Sequence, residues 1–141
     1  MTPDKTRLRR ARLIERVRSA EQRKAATEAY RAEAVRLKLE QLSERTRSLA
    51  QLYTLRDTAA DAAELRGAAI LGAHLRDLGH TAERQATEAR READGKLADL
   101  AAAERRLQRA GESRRELHRE MIDRLSRVES TPARKTGTHL E

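Results

Sequence analysis

Cysteine, phenylalanine and tryptophan are absent from this chain, and Tyr30 and Tyr53 are its only aromatic residues. Without cysteine there is no disulfide framework, which points to a reducing compartment. Without bulky aromatic side chains, a thick globular core cannot be filled to interior density, and single-strand nucleic-acid binding loses its usual stacking platforms. Proline occurs only at Pro3 and Pro132, so nothing in the 128 residues between them breaks a helix as proline does. No long apolar run exists: the least polar patch, Gly67 to Leu75, is far too short to span a bilayer, and the charged start Lys5 to Arg18 leads into no secretory signal.

What is present is helix-forming and charged. Of 141 residues, 38% are Asp, Glu, Lys or Arg, and the rest is dominated by Ala and Leu, which lose little on entering a helix. The net charge is +8, and Met1 to Lys24 alone carries nine Lys or Arg against three Asp or Glu. That basic end suits an acidic protein surface, an anionic lipid or a nucleic acid.

The fold class expected is all-α: a long two-helix antiparallel coiled coil, or α-hairpin, with a disordered C-terminal tail. Helical spacing predicts one helix over about 8–55, a turn over about 56–61 and a second helix over about 61–128, so that 1–128 form the hairpin and 129–141 the tail. Asp61 and Glu64 have capping-box spacing, with Thr58 a competing cap. At 1.5 Å per residue the helices would be roughly 70 and 100 Å long, the second outrunning the first.

In the first helix the clearest seam is Val35, Leu39, Leu42, Thr46, Leu49 and Tyr53, extended backward through Ala32, Glu28, Ala25, Glu21, Arg18 and Ile14. In the second it runs Leu65, Ala68, Gly72, Leu75, Gly79, Ala82, Ala86, Ala89 and Ala93. It then slips by one residue into Leu97, Leu100, Glu104, Leu107, Gly111, Arg114, His118, Met121, Leu125 and Val128. Ion pairs at i, i+4 are expected for Glu92 with Lys96, Glu120 with Arg124 and Asp123 with Arg127.

The residues offer little chemistry. Gly67, Gly72 and Gly79 lie along a helix with no preceding strand, so they form no phosphate loop. His74, His80, His118 and His139 lack metal-ligand spacing. Carboxylates are interleaved with arginine, and two paired helices supply no pocket to desolvate them, so no catalytic residue, cofactor, metal or small-molecule substrate is expected. One feature exceeds the needs of a single helix pair: Leu71, Leu75, Leu78 and Ala82 make a second apolar stripe beside the seam. It reads either as a docking surface for another protein or as a wide core stripe covered by the first helix or by self-association.

The segment Ala60 to Leu78, after a mid-chain turn in a single charged two-helix chain of this length, resembles the FliJ family of flagellar type III export stalk proteins and their virulence-secretion counterparts. Leu65 and Leu71 stand where that family often has aromatic residues. The resemblance implies a cytoplasmic, non-enzymatic stalk peripherally associated with the inner-membrane export apparatus and supporting flagellum assembly and motility. The partners it implies are the hexameric export ATPase ring, the cytoplasmic domain of the export gate, and export chaperones. It places the gate contact on Leu71, Leu75, Leu78 and Ala82. The basic stretch Arg7 to Arg18, with Arg7, Arg10 and Arg12 foremost, is the candidate electrostatic contact with an acidic pore. Two other readings stay open on sequence: a basic coiled coil bound to nucleic acid or the ribosome, less expected for want of aromatics, and a structural homodimeric coiled coil.

Overall fold

The computed structural model describes residues 3–55 and 62–130, all of them helical. Helix α1 spans Pro3–Leu55 and helix α2 spans Ala62–Ser130. The expected turn over 56–61, Thr58 and Asp61 included, lies outside the described residues, as does the expected tail from Thr131 onward.

Helix α1 begins five residues earlier than its periodicity suggested. Pro3 occupies the first helical position, where a missing N–H costs nothing, and Asp4 sits in the first turn at the electropositive end of the helix. Helix α2 carries Glu64 in its first turn and Arg127 in its last, both favourable to the helix dipole, and it runs to Ser130, two residues beyond the Val128 end point.

Two compact units divide the chain, one of Met1–Lys24 with Ala101–Glu141 and one of Ala25–Leu100. Within each, the two helices pack on one another in opposite directions. In the second unit Arg47 pairs with Glu83, Glu40 with Arg90 and Glu28 with Lys96, so the α2 number climbs as the α1 number falls. In the first unit the same rule holds for Glu15 with Arg114 and Asp4 with Arg124. Because α1 reaches Pro3, little of α2 is left without a partner at its end, and the long overhang expected from the sequence is reduced to about its last turn.

Burial follows an unbroken alternation of three and four residues on both helices. On α1 one column holds Leu8, Glu15, Gln22, Ala29, Arg36, Ser43 and Ala50, and the other Ala11, Arg18, Ala25, Ala32, Leu39, Thr46 and Tyr53; all are buried or half-buried. On α2 the columns are Gly72, Gly79, Ala86, Ala93, Leu100, Leu107, Arg114 and Met121, and Ala68, Leu75, Ala82, Ala89, Lys96, Ala103, Ala110 and Leu117. A repeat of 3.5 residues is that of a left-handed coiled coil.

Two corrections to the expected seams follow. The column Tyr53, Thr46, Leu39, Ala32, Ala25 and Arg18 is where it was expected, but its companion is shifted by one residue. Val35, Leu42 and Leu49 are exposed, while Ser43 and Ala50 are buried and Arg36 is half-buried. On α2 the slip expected after Ala93 does not occur there: Lys96 is half-buried and Leu97 exposed, and Ala103 is buried and Glu104 exposed. Farther on, Gly111 is buried and His118 half-buried beside Ala110 and Leu117, so these two residues of the expected seam do reach it. The physical reason is the narrowness of the α2 stripe. Gly79, Ala82, Ala86, Ala89 and Ala93 present almost no side chain, and the α1 surface that packs on them is the one that carries Ala29, Ser43 and Ala50. Among the described residues Ala93 is the most completely buried hydrophobic one, at 1% exposure.

The ion pairs differ from expectation. Lys96 reaches across to Glu28 at 3.4 Å and not to Glu92, and Arg124 bonds Asp4 on the opposing helix while the Glu120 charge on its own helix also raises it.

Candidate functional site

The two flanks of the seam in the second unit are unlike. On one flank, the residues that follow the Leu39 and Thr46 column meet those that follow Ala82 and Ala89. Glu40 accepts from Arg90 Nη2 at 2.7 Å and from Nε at 3.2 Å, and Arg47 lies 3.6 Å from Glu83. Arg36, half-buried in the seam, donates to Glu33 and to Glu40 Oε2 at 2.8 Å, so Glu33, Arg36, Glu40 and Arg90 form one network. Its hydrogen bonds shift the titrations: the Arg36 guanidinium holds Glu33 below the usual carboxylate range, Arg90 and then Arg36 do the same for Glu40, and Arg36 itself is raised by its two carboxylates. In the first unit Asp4 raises Arg124 in the same way. The shifts are led by opposite-charge hydrogen bonds and opposed by desolvation, the pattern of structural ion pairs.

The other flank of the second unit is apolar. Val35, Leu42 and Leu49 precede the Arg36, Ser43 and Ala50 column at heptad spacing, and they are 50%, 50% and 46% exposed. In an antiparallel pair the residues preceding Gly72 and Gly79 face the same way, and these are Leu71 and Leu78, the latter 60% exposed. The bond from Lys96 to Glu28 marks this flank too, since Glu28 lies one heptad before Val35. Leu49 and Leu78 stand nearly level, and the strip continues to Leu42 and Val35 along α1.

The expected docking stripe is therefore divided. Leu71 and Leu78 are exposed, Leu75 is half-buried in the seam, and Ala82 is buried at 5% exposure, so Ala82 packs the helices together and cannot meet a partner. Val35, Leu42 and Leu49, assigned on sequence to the seam, take its place on the exposed flank. The signal that could have found them is the run of small residues one position later, Ala29, Ser43 and Ala50, facing an α2 stripe built of Gly and Ala.

At the basic end, Arg7, Arg10 and Arg12 are exposed as expected. The carboxylates of α1 in this unit are taken up elsewhere: Glu15 by Arg114, Asp4 by Arg124 and Glu21 by Arg18 at 2.9 Å. Among the described residues Arg7, Arg9, Arg10, Arg12 and Arg16 have no carboxylate partner. They form a cationic surface that ion pairing leaves open.

Among the described residues no three His, Asp or Glu side chains stand where they could hold a metal ion, and no helix is long and apolar enough to cross a membrane. His74 and His80 are exposed, His118 is half-buried, and His139 lies outside the described residues. No family model, curated protein or solved structure matches the chain.

Proposed function

We propose that the chain is a non-enzymatic adaptor of the flagellar type III export apparatus, a helical stalk between the hexameric export ATPase and the cytoplasmic domain of the export gate. On this reading it works at the cytoplasmic face of the inner membrane in flagellum assembly and motility, with export chaperones as further partners. The observation that carries it is the exposed apolar flank at the start of α2, Leu71 and Leu78, in the segment whose residues resemble the stalk family. A helix pair held by one ion-paired flank keeps the opposite flank free to receive a partner helix. An asymmetric shaft in a six-fold ring touches each subunit differently and can bias their order of turnover. The unpaired arginines Arg7, Arg10 and Arg12 supply the electrostatic contact with an acidic pore.

The test is recovery of partners from the native host with wild type, Leu78→Asp, and the triple variant Arg7→Glu, Arg10→Glu, Arg12→Glu. The expected result is an export ATPase and a gate protein with wild type, the gate lost with Leu78→Asp and the ATPase with the triple variant. The same unpaired arginines favour a second reading, binding to nucleic acid. Recovery of RNA or ribosomal proteins, lost steeply with salt and in the triple variant, would establish that reading and refute the stalk.

A further inference from the structure

The apolar flank of the second unit is bordered by charges that find no partner within the chain. Outside Val35, Leu42 and Leu49 on α1 run Arg31, Lys38 and Arg45, all exposed and, among the described residues, without a carboxylate partner. On the α2 side, beyond Leu78, the same flank carries Glu88 and Glu92, exposed and likewise without a cationic partner. The opposite flank differs, since its Glu40, Arg90, Arg47 and Glu83 are matched internally. An apolar strip with a basic border on one helix and an acidic border on the other is complementary to itself.

We propose that this flank seats a second copy of the chain, related by a two-fold axis parallel to the helices, so that α1 of one copy lies on α2 of the other. Rotation about that axis lays the basic α1 border over the acidic α2 border. Lys38 then stands level with Glu88 of the second copy, and Arg31 lies near its Glu92. The alternative two-fold axis, across the helices, lays Arg31, Lys38 and Arg45 on their own copies and is opposed by like-charge repulsion. The heptad spacing of Val35, Leu42 and Leu49 matches a helical partner of the same period, and the product is a four-helix bundle with both second units pointing the same way.

The area is modest. The strip from Val35 to Leu52 rises about 27 Å and is two helices, about 20 Å, wide, so of order 500 Å² per copy is covered, at the lower edge of stable interfaces. A dissociable dimer follows. Because a gate protein bound at Leu71 and Leu78 would need the same leucines, the two occupants exclude one another. The self-association itself does not rest on the stalk reading.

Sedimentation equilibrium of the purified full chain tests the proposal across nanomolar to high-micromolar concentrations, with circular dichroism to check that each variant keeps its helices. Wild type is expected to dimerise and Leu42→Asp with Leu49→Asp to remain monomeric. Lys38→Glu or Glu88→Lys alone is expected to weaken the dimer about tenfold, since each reversal acts at two symmetric places, and the two together to restore it. A wild-type monomer at every concentration overturns the proposal, and capture of a gate protein by that monomer would name the occupant instead. A dimer indifferent to the reversals, or not restored by the double variant, overturns the arrangement.

Discussion

Replacing Gly95 by alanine is expected to stabilise the chain. Gly95 lies deep inside α2, has an ordinary helical backbone, and an added Cβ would meet nothing within 4 Å. Only the helical term then operates: glycine costs about 0.8–1.0 kcal/mol relative to alanine at a helix interior, largely through the freedom of the unfolded chain. In a chain of this size the gain corresponds to roughly 3 °C in melting temperature. With a urea slope of about 2 kcal/mol per molar, it also moves the midpoint by roughly 0.4 M without changing the slope. Thermal and urea melts followed by circular dichroism measure both quantities. Gly79→Ala should gain at least as much, because its new methyl would rest 3.7 Å from Thr46 Cγ2, an ordinary packing contact. Gly111→Ala should gain less, because the Cβ would stand 3.4 Å from Glu15 Oε1, and Glu15 is held by Arg114. A neutral or destabilising Gly95→Ala would refute the reasoning, since no clash is available to explain a loss and the backbone at 95 could not then be continuous helix.

The seam makes further tests. Ala93→Leu forces a large side chain into a seam position that is 1% exposed and should cost about 1–3 kcal/mol in a urea melt, whereas Leu42→Ala, on the open flank, should cost well under 1 kcal/mol in the monomer. Leu107→Ala, in the seam in either register, should destabilise more than Leu97→Ala, which is exposed; equal costs would reinstate the slipped register. Acid should loosen the second unit's charged flank. The folded-state pKa values of Glu33 and Glu40 are depressed below those of the unfolded chain, so their contribution is complete above the ordinary carboxylate range and is lost as pH falls through the depressed values. Stability measured down a pH series should fall below about pH 4, and less so in a Glu33→Gln, Glu40→Gln variant.

Much of the architecture was legible in the residues themselves. The lack of internal proline and of bulky aromatics, together with abundant Ala, Leu, Arg and Glu, leaves long helices as the available structure, and two are described, Pro3–Leu55 and Ala62–Ser130. The α2 stripe from Ala68 through Ala93 was legible because Gly and Ala recur there at heptad spacing; Leu65, with which it was expected to begin, is exposed. Leu71 and Leu78 were legible as surplus apolar residues because one helix contact cannot cover two stripes.

Only one of the two buried columns of α1 was legible, because hydrophobicity ranks Val35, Leu42 and Leu49 above Ser43 and Ala50, and on an isolated helix either column completes the Leu39 and Thr46 seam. Residue type and spacing on one helix thus determined that these helices form. Which face of α1 is buried, which cations cross to the other helix, and which leucines are left for a partner were decided by packing. The reason is steric: the depth of the opposing surface, here shallow along Gly79, Ala86 and Ala93, selects the side chains that pack on it, and that depth is a property of the pair.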